Sequence, residues 1–473
     1  MRYVIGWLII FESIFMCLPA LVAVIYREEA FFSFMLSIGI GMLFGAVLAW
    51  KKPQNKQMYA KEGFVIVSIS WIILSIFGAM PFILSGNIPN VVDALFESVS
   101  GFTTTGATIL GDIESVEKSV LFWRSFTHWI GGMGVLVFIM AVLPLAGGNN
   151  IYLMKAESTG PSISKLVPKM KTTALILYGM YFAMTILEIV VLLVAGMDFY
   201  DAVNIAFSTA GTGGFAVKND SLAGYSTAIQ NIVTVFMVLF GVNFNIYYLI
   251  LCKKIANAMK NSELRVYLGI LLGATILVAL NLQGMFGSFK ADLQQAAFQV
   301  ASVMTSTGFF TTDYDLWPEF SKSILVLVMM IGACAGSTSG GIKVVRVMIL
   351  IKTLIKELDT SVHSRAVKKI KINGRFIEHE VIRSVNVFMV AYIALYVVSM
   401  LILSLDNLDF TSNFTAVAAM INNAGPGLVA TGPIENYAGF SVLSKIVCMF
   451  DMLAGRLELF PLLVLFAPST WRK

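Results

Sequence analysis

Apolar residues run along this chain in long blocks parted by short polar stretches. The blocks predict helices near 4–26, 31–50, 63–85, 121–144, 172–196, 226–252, 266–286, 321–356, 384–404 and 436–466. Each reaches the roughly 20 residues that a helix needs to cross a bilayer. Ten spans put both termini on one side. Most of the 33 Lys and Arg residues fall on that same side, in 51–61, 155–171, 253–265, 343–383 and the two ends. Basic loops stay cytoplasmic, so both termini are expected there. The opposite loops carry Glu28, Glu29, Asp93, Asp112, Glu114, Glu117, Asp198, Asp220, Asp313, Asp315, Asp406 and Asp409. Such a face either concentrates cations at an entrance or merely follows the topology.

Composition agrees with the pattern. Hydrophobic residues make up 58% and charged residues 13% of 473, against about 25% charged in a soluble protein. This is an all-α polytopic membrane protein with no room for a large soluble domain. The longest polar stretch, 356–383, is short and basic. The first block lacks a small-residue cleavage site and reads as a retained span. Cys17, Cys252, Cys334 and Cys448 are scattered, with no C-x-x-C pair. His128, His363 and His379 sit in separate polar surroundings and read as surface or packing residues. No Ser/His/Asp set, H-E-x-x-H or P-loop occurs, so neither an enzyme nor an organic cofactor is expected, and nothing points to nucleic acid.

Four segments between spans share one pattern: FTTTGAT at 102–108, AGTGGF at 210–215, MTSTGFF at 304–310 and INNAGPGL at 421–428. In the second, Gly211, Gly213 and Gly214 compete for register. Asp93-Ala94 lies thirteen positions before Gly106, and Asp201-Ala202 thirteen before Gly214. Gly106, Gly214, Gly308 and Gly425 are therefore equated. A run too short to span the bilayer precedes each glycine, with Asp93, Asp201, and Asp292 or the Ser412 region as candidate caps. Such a segment must dip in and return, which is tolerated only around a cavity or within protein. Four of them around one axis place backbone carbonyls and hydroxyls where a cation sheds its hydration shell. Helix C-termini pointing at the axis favour a cation too.

The block 321–356 would be about 54 Å long as one helix at ~1.5 Å per residue. Its middle, Gly332 to Gly341, reads GACAGSTSGG. Glycine costs roughly 1 kcal/mol in a helix interior, so a break is expected, with a loop of Gly332, Gly336, Ser337, Thr338, Ser339, Gly340 and Gly341 lying across the pathway. Close helix packing is the alternative. Lys343 and Arg346 join this loop to the basic inner segment. Arg456 lies inside the last span near Asp451 and Glu458. It reads either as a positive charge beside the ion path or as an ion pair or hydrogen-bonding clamp. Glu12 and Glu188 are further intramembrane acids without an evident partner.

TTTGAT, STAGTGGF, MTSTGFFTTD, INNAGPG and the late AGRLELFP resemble the Trk/Ktr/HKT superfamily of potassium transporters, in the form of the TrkH-type membrane subunit. The likeness covers nearly the whole chain. It implies a two-helix segment over 1–60 and four helix–pore loop–helix repeats, 61–165, 166–263, 264–375 (its second helix broken) and 376–473. It implies filter carbonyls from Thr104, Thr105 and Gly106, from Thr212, Gly213 and Gly214, from Ser306, Thr307 and Gly308, and from Asn423, Ala424 and Gly425. No quarter carries the serine-for-glycine change of sodium-permeable relatives, which favours potassium, with rubidium passing as well. A gating loop at 332–341, a homodimer, a lipid surround, a bacterial inner membrane and a cytosolic TrkA-like nucleotide-binding ring follow from the same resemblance. A symporter coupling potassium to protons or sodium is the competing reading. It would usually carry inverted repeats, whereas all four loops here fall on the acidic side.

Overall fold

The computed structural model describes residues 1–51, 60–134, 170–363 and 369–471. Among them six helices are long and apolar enough to cross a membrane, or seven if one bent pair counts as a span. The first span is α1 (Arg2–Phe15) and α2 (Cys17–Tyr26), divided at Met16, with α3 (Ala30–Ala49) returning beside it. Gly6 and Gly45 let α1 and α3 meet backbone to backbone: a Cβ on either would sit under 3 Å from the other's carbonyl oxygen. α4 (Ala60–Leu84) follows, then the short α5 (Val91–Phe102) and α6 (Lys118–Gly132). The predicted span 121–144 thus begins at Lys118, and its second half lies outside the described residues, as do most of the basic segments 51–61 and 155–171.

α7 (Met170–Val194) and α8 (Phe199–Gly211) lead to α9 (Thr227–Phe240), which is bent by 91° from α10 (Phe244–Leu251). The bend corrects the single helix expected over 226–252. Asn243 starts α10 as its N-cap, accepting from the Asn245 N–H at 2.9 Å. After the short α11 (Ile255–Met259) come α12 (Ser262–Asn281) and α13 (Phe289–Met304). The next block is broken as α14 (Glu319–Ile331), a loop, and α15 (Val344–Val362). A two-stranded antiparallel hairpin, β1 (Lys371–Ile372) and β2 (Arg375–Phe376), precedes α16 (His379–Leu403) and the short α17 (Phe410–Ile421). The last block begins at Val442 rather than 436. It is α18 (Val442–Arg456) and α19 (Phe460–Phe466), interrupted where Glu458 and Leu459 take positive φ, with α20 (Pro468–Trp471) after it.

The short helices α5, α8 and α13 are not capped by the acids expected, whereas α17 is capped within the Ser412 region, by Asp409. Asn90, Ser288 and Asp409 accept first-turn N–H groups, and Asp198 holds the fourth N-cap position. Asp93, Asp201, Asp292 and Ser412 lie inside the first turn. A cap needs an extended backbone and a side chain reaching forward, and residues already helical reach elsewhere. Asp93 takes the Lys445 ammonium at 2.7 Å, Asp201 the Tyr225 hydroxyl at 2.7 Å, and Asp292 the N–H groups of Gly284 and Phe286. At one end the N-terminal pair is joined to the rest by reciprocal capping. Glu28 accepts from Lys118 and Ser119, which begin α6, while Glu117 accepts from Ala30, which begins α3. Burial, and then the nearby Glu28, raise the Glu117 carboxyl above its usual range.

Candidate functional site

Each short helix ends in the same way. Thr104, Thr212, Ser306 and Asn423 take left-handed angles, φ 56, 55, 54 and 52°. Each of them donates its N–H three residues back, and the next residue donates five back, to Ser100, Ser208, Ser302 and Ala419 at 2.8–2.9 Å. This is the Schellman ending of a helix, usually formed with glycine at the left-handed position. A β-branched residue there is an outlier that strain-bearing functional sites tolerate. Two residues on, Gly106, Gly214, Gly308 and Gly425 have φ of 80, 80, 84 and 80°. Gly213 does not have positive φ, so the equivalence of Gly214 rests on backbone angle as well as on spacing.

The four turns close on one another. A Cβ on Gly106 would meet the Gly213 carbonyl oxygen, one on Gly214 that of Thr307, one on Gly308 that of Ala424, and one on Gly425 that of Thr105. The last neighbour returns to the first, so the turns form a ring. The loops that follow the glycines repeat the circuit. Asp112 takes the Asn219 carboxamide at 2.8 Å, Leu222 donates to Phe310 at 3.1 Å, and Tyr437 N–H donates to Thr108 at 2.9 Å. Asp315 accepts Val429 N–H at 3.1 and 3.0 Å. The Asn219 bond lowers the Asp112 carboxyl, whereas burial raises that of Asp315.

All four glycines line a cavity of about 130 Å³ together with Tyr437. The acid in its wall is Glu435, and the cations in it are Arg124 and Lys218. Several of the acids expected at an entrance instead hold loops and helix ends. Behind the ring, Thr103 and Thr105 share a hydroxyl bond of 2.8 Å, as do Thr305 and Thr307. Asn423 donates to Thr105 and to the Met452 carbonyl. His128, expected in polar surroundings, is buried behind Gly213 and stacked on Phe215 at 4.1 Å. Two supports carried no local sign in the sequence. Glu97 and Arg124, both buried, pair at 2.5 Å. Glu97 also accepts from Thr108 and Ile109, and Arg124 donates to Ala216. The Tyr437 hydroxyl donates to Gly425 O at 3.0 Å.

The loop between α14 and α15 runs from Gly332 to Lys343, with positive φ at Gly332, Gly336, Gly341 and Lys343. It is buried almost throughout. Its ends meet: Lys343 N–H donates to Ile331 at 2.9 Å and Val344 N–H to Ala333 at 3.0 Å. Between them it meets residues from the second, third and fourth of the turn-bearing segments. Cys334 N–H donates to Gly241, and Gly336 O accepts from Phe244. The hydroxyls of Ser306 and Ser339 are 3.0 Å apart, and Gly340 N–H donates to Ser306 Oγ at 2.7 Å. Gly340 lies against the Asn422 carbonyl. Lys343 donates to Ser339 and Gly340.

Arg456 donates to Thr338 at 2.7 Å and to Gly131 and Gly132, linking α18 and α6 to the loop. Asp451 accepts from Ser399 instead, and Glu458 pairs with Arg346. Arg456 thus bonds to carbonyl groups of both α6 and the loop. Glu12 and Glu188 are buried on α1 and α7.

A family model described as TrkH, cation transport protein, matches residues 30–473. The Trk system potassium uptake protein TrkH of Salmonella typhimurium is 37% identical over 479 residues, covering 99% of this chain and 98% of that protein. Its counterpart in Escherichia coli K12 is 36% identical over 478 residues with the same coverage. The crystal structure of the potassium transporter TrkH from Vibrio parahaemolyticus matches with a TM-score of 0.89 at 34% identity, covering 100% of this chain and 99% of that one.

Proposed function

Because the chain belongs to the TrkH family of cation transport proteins, which are not enzymes, we propose that it takes up potassium through a gated pore. The pore follows the axis of the four glycine turns. The carbonyls of Thr104, Thr105 and Gly106 and their counterparts in the other three quarters replace the ion's water. The observation that carries this reading is the ring itself: four equal backbone conformations, each packed on the next. Rubidium, close to potassium in size, follows the same path. Quarters at 61–165, 166–263, 264–375 and 376–473 each contribute one wall, and 1–60 packs outside.

The loop Gly332–Lys343 is the gate. It bonds to Gly241, Phe244, Ser306 and Arg456 and lies against the Asn422 carbonyl, and its touching ends let it move without separating α14 from α15. Arg456 holds it in place. The chain works as a homodimer in the bacterial inner membrane with both termini cytoplasmic. A cytosolic nucleotide-binding ring docks on the basic inner segments and supplies the energy to withdraw the loop. Lys165–Lys171 and Lys368 of those segments lie almost wholly outside the described residues, so Lys369 and Lys371 carry the test. Their reversal to Glu weakens copurification of the ring.

The decisive experiment is flux of potassium, rubidium, sodium and lithium in proteoliposomes. Potassium and rubidium lead, sodium trails. Equal flux of all four would overturn the filter, and a reversal potential that follows protons or sodium would restore the symporter. Removing Ala335–Ser339 raises basal rubidium uptake with selectivity intact. Folded protein with unchanged uptake would leave the loop as packing.

A further inference from the structure

Glu263 is buried in the first turn of α12. Its Oε1 accepts Ala335 N–H at 2.7 Å, reaching across 72 residues into the loop. The residue before it faces the other way. Ser262 donates both its N–H and its hydroxyl to Asn373 Oδ1, each at 2.7 Å. Asn373 stands at the turn of the β1–β2 hairpin with φ 51°. The hairpin is also held to α15, because Lys352 Nζ donates to Lys371 O at 2.7 Å. Two adjacent residues of one helix start therefore grip the intramembrane loop and the basic hairpin.

We propose that Glu263 is a positioning residue that latches the loop across the pathway, and that the hairpin sets the latch by fixing the first turn of α12. The proposal rests on the gate reading above. A carboxylate on a buried N–H is a strong bond, and its loss leaves the N–H buried and unpaired. The bond is also steep in distance: about 1 Å of travel at the start of α12 would take it out of hydrogen-bond range. On the filter side the loop is held by Ser306 and Arg456, groups inside the membrane. Glu263 is one bond from a group that a cytosolic partner can pull, namely the hairpin. The two-state element is the loop, latched or withdrawn, and both the filter side and the hairpin bias it.

The test uses the full chain in proteoliposomes without any partner. Glu263→Leu removes the acceptor, and basal rubidium uptake is expected to rise roughly tenfold with the rubidium-to-sodium ratio unchanged. Glu263→Gln keeps an oxygen in the same place and stays within about twofold of the parent. Asn373→Gly preserves the positive φ of the turn, deletes the carboxamide and gives roughly threefold. Cys334, inside the loop, reports the same event: with Cys17, Cys252 and Cys448 replaced by Ser, its labelling by a water-soluble thiol reagent increases in the same order.

Folded Glu263→Leu protein with parental uptake and labelling overturns the latch, as does Gln behaving like Leu. If Glu263→Leu does not fold, Asn373→Gly, outside the membrane, decides alone. The Ala335–Ser339 deletion runs alongside. If it raises uptake and Glu263→Leu does not, the latch fails and the gate stands; if neither does, the gate reading itself has failed.

Discussion

Serine placed at each ring glycine in turn should give graded damage, and the gradient follows from the spacing of the ring. All four glycines have φ between 80 and 84°, which costs an L-residue roughly 1–2 kcal/mol. That strain is common to the four variants. The space is not. At Gly106 and Gly214 a Cβ falls inside the carbonyl oxygen of the next quarter, which must retreat by roughly an ångström or more. At Gly308 and Gly425 the Cβ stands 2.7 Å from the facing oxygen, and a shift of a few tenths of an ångström suffices. Strain is relieved by turning the peptide, which swings a carbonyl off the axis. Each ~1.4 kcal/mol lost from discrimination is tenfold in a flux ratio. Gly308→Ser and Gly425→Ser should keep uptake but lower the rubidium-to-sodium ratio about tenfold. Gly106→Ser and Gly214→Ser should lose most uptake as well. Tracer uptake of both ions, with a thermal melt to establish folding, measures this. Folded variants with the parental ratio, or a reversed order with Gly425→Ser worse than Gly106→Ser, would refute the ring as the selective element.

Tyr437→Phe keeps its ring packed against Phe96 and Phe440, at 5.7 and 5.1 Å, but frees the Gly425 carbonyl. The KM for rubidium should fall about threefold, with stability changed by no more than ~1 kcal/mol; an unchanged KM would show that this oxygen does not meet the ion. The Asp409 carboxyl is held below its usual range, chiefly by the Ser412 hydroxyl. A depressed folded pKa gives stability that is present above the unfolded pKa and is lost as pH falls through the folded one. Asn caps as well and does not titrate. The parent's melting midpoint should therefore drop relative to Asp409→Asn in an acid series below roughly pH 4, and parallel curves would contradict it.

Much of this architecture was visible in the chain because it is written in local pattern. Apolar blocks mark helices by length alone, and a glycine-rich interior such as Gly332–Gly341 cannot compete as helix. What stayed hidden depends on partners far apart in sequence. Glu97 and Arg124 look like two isolated charges until α5 and α6 pack. Glu263 reads as an ordinary first-turn acid until the loop arrives. The caps were misplaced for a different reason: an acid three residues inside a helix and a cap just before it have the same composition. The bend at 241–243 is concealed because Gly241, Asn243 and Asn245 are too few to interrupt the hydropathy of an otherwise apolar block.

The residues before the ring glycines are the least legible of all, and they lead to a last test. Threonine prefers extended angles, so no reading of propensity places Thr104 or Thr212 in the left-handed region. Neither is compensated by a good side-chain bond elsewhere. Among the described residues the Thr212 hydroxyl donates only to the neighbouring Gly211 carbonyl, and the Thr104 hydroxyl is buried without a protein partner. Glycine at either site would relieve roughly 1–2 kcal/mol of strain and give back about 0.4–1 kcal/mol through the freer unfolded chain. Thr212→Gly should therefore leave the melting midpoint level or slightly higher, while the rubidium-to-sodium ratio declines because glycine's freer backbone no longer holds the carbonyl at this position in one direction. A clear loss of stability with normal transport would mean that the threonine serves the fold. The opposite result identifies the strain as the cost of setting an oxygen at the axis.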